Sequence, residues 1–228
     1  MIVIKSAQNH LKLFALAICF ILAGCAGTAP KVSGPHPLEV AGVKSILILP
    51  VVNNSVDVDA PSYFLSSISY PLAERGYYVY PVNTVKTVLE SEGLYDANLV
   101  QAADPAKIGG MFDADAILYV TIDRWDAQYL LINTTVTVEF NYKIMDGHSG
   151  EELWTAHKTM TYSPDNQSTG DPLADLVGMA INAAITRAAP NYMPLTREAN
   201  WMVIHTDNTR LPPGPYLKAK LEASAKAK

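Results

Sequence analysis

The chain has 228 residues, of which 49% are hydrophobic and 17% charged, and its formal net charge is −5 at pH 7. This acidic balance, with no run of basic residues, excludes nucleic acid as a partner because binding to phosphates needs clustered Lys and Arg. The length and the presence of only two cysteines indicate one folded domain without a disulfide framework.

The N-terminal segment has the parts of an export signal. After a basic start, residues 13–23 form an apolar run of about eleven residues, too short for the roughly 20 that a membrane-spanning helix needs. The run leads into "LAGC" (22–25), which resembles the lipobox of bacterial lipoproteins. We therefore expect residues 1–24 to be a signal peptide, cut between Gly24 and Cys25, with Cys25 acylated. A plain signal peptide that happens to contain a cysteine is the alternative.

An acylated Cys25 has consequences for the mature protein. Cys19 would leave with the signal, so no disulfide, thiol nucleophile or cysteine-bound metal would be available. Two or three acyl chains, such as palmitate, hold a protein stably on a membrane that it does not span. Ala26 follows the cysteine where inner-membrane lipoproteins often carry Asp. Resemblance to Gram-negative sorting therefore favours the outer membrane. We expect the domain to face the periplasm, and the outer face of that membrane stays open as the alternative.

The first predicted elements follow a flexible tether. Residues 25–42 contain three prolines and little periodic hydrophobicity, which is typical of such a tether. The β-branched run "VKSILILPVV" (43–52) then predicts a buried strand. Helical spacing predicts a helix from Asp59 to Gly76, kinked or shortened at Pro71.

Alternating patterns continue towards the C-terminus. They predict a strand at 77–82, helices at 84–92 and 104–113, strands at 116–125, 135–145 and 151–162, and a helix at 171–185. The clearest alternation runs from Val136 to Ile144, as in a half-buried antiparallel strand. The predicted class is α+β: a mixed sheet of about five strands in the order β-α-β-α-α-β-β-β-α, with helices mainly on one face.

The C-terminal residues predict a tail. We place a single α+β domain at 43–205 and a Pro-rich break followed by an Ala/Lys tail at 206–228. The lysines of this tail, which could contact anionic lipid or an acidic partner, are Lys218, Lys220, Lys226 and Lys228. A solvated, frayed helix is the simpler interpretation, and both stay open.

Several stretches together resemble one known family. They are the lipobox, "SYPLAERGYYVYPV" (69–82), "KTVLESEGL" (86–94) and "DGHSGEELW" (146–154). Over about residues 20–205 the chain resembles the bacterial lipoprotein family of the neisserial genome-derived antigen type. The resemblance implies a fold similar to the N-terminal domain of TolB and to the lipoprotein ring component of the Pel polysaccharide exporter. It also implies gene neighbourhoods with a curli-secretion-type lipoprotein, and it supplies no catalytic residues.

No catalytic, metal or cofactor site is visible in the sequence, and we predict that the protein is not an enzyme. "GHSGE" (147–151) superficially resembles a nucleophile elbow, but it lies between two predicted antiparallel strands, where a hairpin turn is expected. No two histidines have metal-ligand spacing. The acidic pairs Asp113/Asp115 and Asp123/Asp126 are more typical of caps and turns than of acid–base chemistry.

The remaining functional signals are predicted surfaces. Aromatic residues in the central strands suit interfaces, and we take Trp125, Tyr129 and His157 as candidate interface residues. The leading hypothesis is an accessory or assembly subunit of an outer-membrane export system, forming homo-oligomers or binding other envelope lipoproteins. The alternatives are a module that binds a small ligand or the cell wall, and a hydrolase. A deep polar pocket would favour the module, and paired carboxylates with shifted pKa values would favour the hydrolase.

Overall fold

The computed structural model describes residues 34–129, 134–162 and 192–226. The predicted signal peptide, Cys25 and the predicted helix at 171–185 lie outside these residues. Internal contacts group His36–Lys228 into one unit. Within the described ranges, every helix is too short or too polar to cross a bilayer.

The described elements, in chain order, are α1 (Pro37–Val40), β1 (Ser45–Ile48), β2 (Val52–Asn53), α2 (Ala60–Glu74), β3 (Tyr78–Val79), α3 (Val82–Ser91), α4 (Ala97–Ala102), α5 (Pro105–Phe112), β4 (Ala116–Tyr129), β5 (Thr134–Asp146), β6 (Glu152–Tyr162), α6 (Met193–Trp201), a π-helical turn (Met202–Thr206) and α7 (Pro215–Lys226). The strands form one mixed sheet in the order β3-β1-β4-β5-β6, with β2 also paired to β4. Strands β1, β2 and β3 make parallel pairs, whereas β4, β5 and β6 form an antiparallel meander. The predicted α+β class is confirmed.

The first predicted strand divides into β1 and β2. Strand β1 ends at Ile48 opposite Leu118, and β2 resumes at Val52 opposite Thr121, so one extra residue is accommodated between them. Pro50 lies in this interval and has no N–H group to give to a strand ladder. The proline therefore explains why the apolar run is not one continuous strand.

Apolar side chains pack on both faces of the sheet around β1 and β4. On one face, α2, α6 and the π-helical turn cover a core that includes every second residue from Val136 to Ile144, which confirms the predicted alternation of β5. A second helical layer, formed by α3, α4 and α5, covers Leu47, Leu49 and Ile117 on the opposite face. The prediction that helices lie mainly on one face is therefore wrong. A strand buried on both faces reads as a continuous apolar run, so "SILIL" was itself a signal for this second layer.

Helix α2 continues through Pro71 to Glu74 instead of ending early. Pro71 is buried, and its carbonyl oxygen accepts a hydrogen bond of 3.0 Å from His205 Nε2 in the π-helical turn. Gly76 follows the helix with φ of 91°, a left-handed conformation that favours glycine. The end of α2 is therefore set by this glycine.

The beginning of the domain lies within the predicted tether. His36 Nδ1 accepts the N–H of Leu38 at 3.2 Å, and the Glu39 carboxylate accepts the N–H of His36 at 3.1 Å, which makes a capping box for α1. Leu38 is only 1% exposed. Residues 36–42 are therefore packed against the domain.

Residues 211–218, which we call the strap, bind the turn after α2. Backbone N–H groups of Gly214 and Tyr216 donate to the carbonyl groups of Arg75 and Gly76, at 2.7 and 3.2 Å. Tyr77 Oη donates to the Pro212 carbonyl oxygen at 3.0 Å. The first part of the predicted tail is thus attached to the domain, and the strap includes the first turn of α7.

Candidate functional site: the open face of the antiparallel strands

The candidate site is the side of β4–β6 opposite α2 and α6, which we call the open face. The polar side chains that define it are Asp123, Arg124, Glu139, Asn141, His157 and Thr159. They come together because the strand register places Asn141 opposite His157 and Glu139 opposite both Arg124 and Thr159. Directly opposed side chains of an antiparallel pair lie close enough to interact.

A β-bulge shapes one end of the open face. The register of β4 against β5 shifts between Ile122 and Arg124, which leaves Asp123 without a partner in the ladder. Ile122 and Trp125 consequently pack into the same core although three positions separate them. The bulge therefore brings two consecutive charged residues, Asp123 and Arg124, to this region of the surface.

A chain of hydrogen bonds orders the open face. The Asp123 carboxylate accepts from Asn54 Nδ2 at 3.0 Å and from Asn141 Nδ2. Asn141 Oδ1 lies 2.8 Å from His157 Nδ1, and His157 Nε2 lies 3.1 Å from Thr159 Oγ1. Because Asn141 presents an acceptor, Nδ1 of His157 carries the hydrogen in this pair, and Nε2 accepts from the Thr159 hydroxyl when the ring is neutral. The network fixes the orientation of each side chain.

Glu139 adds charge beside this chain. Its Oε1 atom lies 3.3 Å from His157 Nε2, and its Oε2 atom lies 4.0 Å from Arg124 Nε. The side chains of Arg124 and His157 are both 52% exposed. The contact between Glu139 and His157 is an ion pair only when the imidazole is protonated. Exposed ion pairs contribute only about 0–1 kcal/mol to stability, so these contacts organise a surface more than they hold the fold together.

The connectivity Thr159–His157–Asn141 has the order of a nucleophile, a base and an orienting amide. Nucleophilic catalysis also relies on a site that excludes water and holds donors for a developing oxyanion. His157 instead lies half exposed on an open strand surface. This geometry suits contact with a partner better than it suits covalent chemistry.

A cavity of about 570 Å³ adjoins the open face and is lined in part by Asn141, His157, Tyr119 and Lys143. Tyr119 is only 5% exposed, and Lys143 Nζ lies 5.3 Å from the centre of its ring. Burial, with a smaller contribution from Asp104, raises the pKa of Tyr119 to about 12, so the hydroxyl stays neutral. Tyr119 Oη has no hydrogen-bond partner within the described part of the chain.

A second cavity, of about 670 Å³, lies between α2 and α6. It is lined by Tyr70, Trp201, Arg197 and Glu198, among others. The rings of Tyr70 and Trp201 are 64% and 37% exposed and stack with centroids 6.3 Å apart. Trp201 also stacks on His205 at 4.0 Å, which fixes its indole ring.

The candidate interface residues occupy different places. His157 lies at the centre of the open face, as a surface residue. Trp125 is 1% exposed and packs against Phe140, so it is a core residue. Tyr129 ends β4, and its side chain is not among those described. The proposed cleavage and acylation positions, Gly24 and Cys25, precede the first described residue.

The sequence prediction missed Glu139 and Asn141. A signal was available, because both lie on the polar side of the clearest alternating strand, opposite Phe140 and Tyr142. What the pattern could not supply was the partner strand. The proximity of Glu139 and Asn141 to His157 depends on the β5–β6 register.

The other motifs have structural roles. Asp115 Oδ2 accepts from the N–H groups of Lys44 and Ser45, both at 2.9 Å. Asp146 Oδ1 accepts from the N–H groups of His148 and Ser149 at 2.8 Å, which confirms the hairpin turn predicted at "GHSGE". In the described ranges, no cluster of three or more His, Cys, Asp or Glu side chains could hold a metal ion.

The topology and the open face define a small α+β domain with one mixed sheet and an ordered polar strand surface. The chain belongs to the family described as "Putative lipoprotein GNA1162-like", whose model matches residues 38–215. This match confirms the family resemblance inferred from the sequence.

Relatives support the same assignment. The chain is 31% identical over 145 residues to "Putative lipoprotein NMB1124/NMB1162" of Neisseria meningitidis serogroup B. That match spans 64% of this chain and 65% of the relative, slightly less than two thirds of its length. The crystal structure of lipoprotein GNA1162 from Neisseria meningitidis is similar at 30% identity and a TM-score of 0.53, covering 63% of this chain and 99% of that one.

A more distant solved structure is a PelC dodecamer from Paraburkholderia phytofirmans. It is similar at 14% identity and a TM-score of 0.47, covering 78% of this chain and 96% of that one. A likeness at this level carries no argument about assembly of the present chain.

Proposed function

We propose that this chain is a lipid-anchored envelope lipoprotein that acts as a non-catalytic accessory or assembly subunit of an outer-membrane export system. Acylated Cys25 is its anchor, and the domain faces the periplasm. Membership of a lipoprotein family and the "LAGC" sequence support the anchor. A tether of this kind raises the effective concentration of the domain near membrane-bound partners without any new contact.

The observation that carries the assembly function is the ordered polar network of the open face. Hydrogen bonds already hold Asp123, Asn141 and His157 in one arrangement. Side chains fixed before binding lose less conformational entropy when a partner arrives, so such a surface binds at lower cost than mobile charges do. The partner is another copy of this chain or another envelope lipoprotein.

Native mass spectrometry of the lipidated protein, extracted in mild detergent, tests this function. We expect a closed homo-oligomer or a stoichiometric envelope protein, and we expect His157→Asp to dissociate it by adding a third carboxylate to the surface that holds Glu139 and Asp123. Lys86→Asp on the exposed side of α3 is the matched control and should leave the complex intact. A clean monomer carrying a bound small molecule would contradict the assembly function.

The second candidate function is a periplasmic module that binds a ligand or the cell wall. The specific observation in its favour is the cavity between α2 and α6, where the exposed rings of Tyr70 and Trp201 lie beside Arg197 and Glu198. Flat aromatic rings next to charged groups suit sugars and peptide stems of peptidoglycan. Titration of soluble peptidoglycan fragments should change the tryptophan fluorescence of the parent but not of Tyr70→Ala. Tyr95 is 76% exposed and does not line this cavity, so Tyr95→Ala is the control and should respond like the parent. No change in any of the three proteins would exclude this module.

A further inference from the structure

No described residue of helix α7 is buried, and the helix is exposed from Lys218 onward, yet the strap fixes its first turn to the domain. Lys218 Nζ, in that turn, lies 2.6 Å from Glu39 Oε1. The hydrogen bond from Lys218, with a further one from the N–H of His36, lowers the pKa of Glu39 and keeps its carboxylate ionised. Helix α7 therefore begins beside His36, where the chain from Cys25 reaches the domain.

The composition of α7 differs from that of the whole chain. Between residues 215 and 226 there are three lysines and one glutamate, a local charge of +2 (3 − 1) in a chain whose net charge is −5. Tyr216 is 61% exposed and shares one side of the helix with Lys220, four residues later. Lys226 follows Lys220 by six residues, about 1.7 turns, so it lies roughly 120° around the helix axis from Lys220. The helix thus presents cationic groups and an amphipathic aromatic ring to its surroundings.

We propose that α7 lies on an anionic phospholipid leaflet, with Lys220 and Lys226 against lipid phosphates and Tyr216 at the headgroup level. The proposal rests on the anchoring that we propose through Cys25. Eleven Cα–Cα steps separate Cys25 from His36 and reach at most about 40 Å when fully extended, so the anchor keeps this end of the domain near the bilayer. Attraction between lysines and anionic lipid acts within roughly 8 Å of the surface. Tyrosine is enriched at the same interface.

The family match adds an independent observation. The family model ends at residue 215, where α7 begins. The helix therefore lies beyond the part of the chain matched to the family, and the membrane contact would be an addition to the shared domain.

The test uses the full chain with a fluorophore on Ala223→Cys, reconstituted in vesicles that carry a headgroup-attached quencher. We expect strong quenching in vesicles containing phosphatidylglycerol and weak quenching in purely zwitterionic vesicles or at high salt. Lys220→Gln with Lys226→Gln should remove most of the quenching, because each lysine changes electrostatic partitioning about fivefold. Lys86→Gln with Lys107→Gln, two exposed lysines on α3 and α5, is the matched control and should change nothing.

Vesicle flotation and the mass of the N-terminal peptide report separately on the anchor. If the protein floats and the fluorophore is equally quenched in both kinds of vesicle, or in neither, the membrane contact of α7 is overturned while the anchor stands. A solvated tail or an acidic protein partner would then account for the lysines. If Cys25 is not acylated, its thiol would also be labelled, so Cys19→Ser and Cys25→Ser are added to Ala223→Cys. Quenching by added anionic vesicles then supports the contact of α7, and its absence overturns it.

Discussion

Tyr142 on β5 donates a hydrogen bond of 2.7 Å to Asn200 Oδ1 on α6, and both side chains are fully or almost fully buried. Asn200 Nδ2 in turn donates to Ser67 Oγ on α2 at 2.8 Å. Burial raises the pKa of Tyr142 well above its ordinary value, so its hydroxyl remains a neutral donor. The Asn200 amide of α6 therefore connects β5 with α2.

Removing either partner of this pair should destabilise the protein. Tyr142→Phe leaves Asn200 Oδ1 buried without its donor, and Asn200→Leu leaves the Tyr142 hydroxyl unpaired. Each should lower the free energy of unfolding by about 1–3 kcal/mol, measured by urea unfolding with tryptophan fluorescence. The double variant should cost less than the sum of the two, because it leaves fewer unpaired groups. Tyr70→Phe, on an exposed ring, is the control and should change stability by less than about 0.5 kcal/mol. Strict additivity would contradict a shared hydrogen bond.

Adjacent glycines of α5 should respond in opposite ways to substitution by alanine. A Cβ atom at Gly109 would overlap the carbonyl group of Gly147 in the hairpin turn, whereas a Cβ atom at Gly110 meets nothing within 4 Å. Gly109→Ala should therefore destabilise by about 1–3 kcal/mol through overpacking. Gly110→Ala should be neutral or stabilise by up to about 1 kcal/mol, because alanine favours a helix. Thermal unfolding of the two variants makes the comparison, and equal melting temperatures would disprove the close approach of α5 and the turn.

Stability should fall as the pH drops below about 6.5, the ordinary pKa of histidine. Burial lowers the pKa of His205 in the folded state, with a smaller effect of Arg75 in the same direction, and burial also lowers that of His36. Between the folded-state and the unfolded-state pKa of each histidine, the unfolded chain then binds more protons than the folded chain. The contribution of these neutral imidazole rings to the free energy of unfolding is thus fully present above their unfolded-state pKa. It is lost as the pH falls towards their folded-state pKa. Urea unfolding between pH 7.5 and 5 measures the slope.

Two substitutions isolate the groups responsible for this slope. His205→Gln keeps a donor for the Pro71 carbonyl oxygen, and His36→Asn keeps an N-cap acceptor, but neither new side chain titrates. Each should flatten the dependence of the unfolding free energy on pH. An unchanged slope in both variants would assign the effect to other groups.

Alanine substitutions at Gly76 and Gly93 should distinguish the effect of backbone strain from the effect of contact with the strap. Both follow helices with positive φ, 91° and 84°, so alanine strains the backbone at either position. Only at Gly76 would the new Cβ atom also meet the strap, at Leu217, since Gly93 has open space around it. Gly76→Ala should therefore destabilise more than Gly93→Ala, and trypsin should cleave after Arg210 faster in that variant alone. Equal cleavage in the two variants would mean that the strap does not depend on this contact.

Helix caps and the alternation of polar and apolar residues predicted several elements correctly. Asp104 and Pro105 mark the start of α5, and Asp104 does cap it through a 3.0 Å hydrogen bond to the N–H of Ala106. The alternation in β5 identified its buried side because one face of that strand is polar. Helix α4 was missed because six residues are too few to show a helical period, although Asp96 caps it with two hydrogen bonds.

The open face could not be predicted as a site. His157 and Asn141 are sixteen positions apart and meet only through strand register. The bulge at Asp123 changes which residues of β4 face the core, and no pattern within β4 alone indicates it. The strap could not be predicted from composition either. A Pro-rich run that lies against a folded surface has the same composition as one that ends a domain.

The contact between Glu39 and Lys218 means that the two ends of the matched domain meet. Chain ends that lie together can be joined by a short linker, and the chain can then be opened at another exposed turn. The packing of the core therefore does not depend on which element is N-terminal, and α1 need not come first along the chain. A circularly permuted domain should keep the same sheet while presenting its new ends, and any cargo fused to them, on a different side.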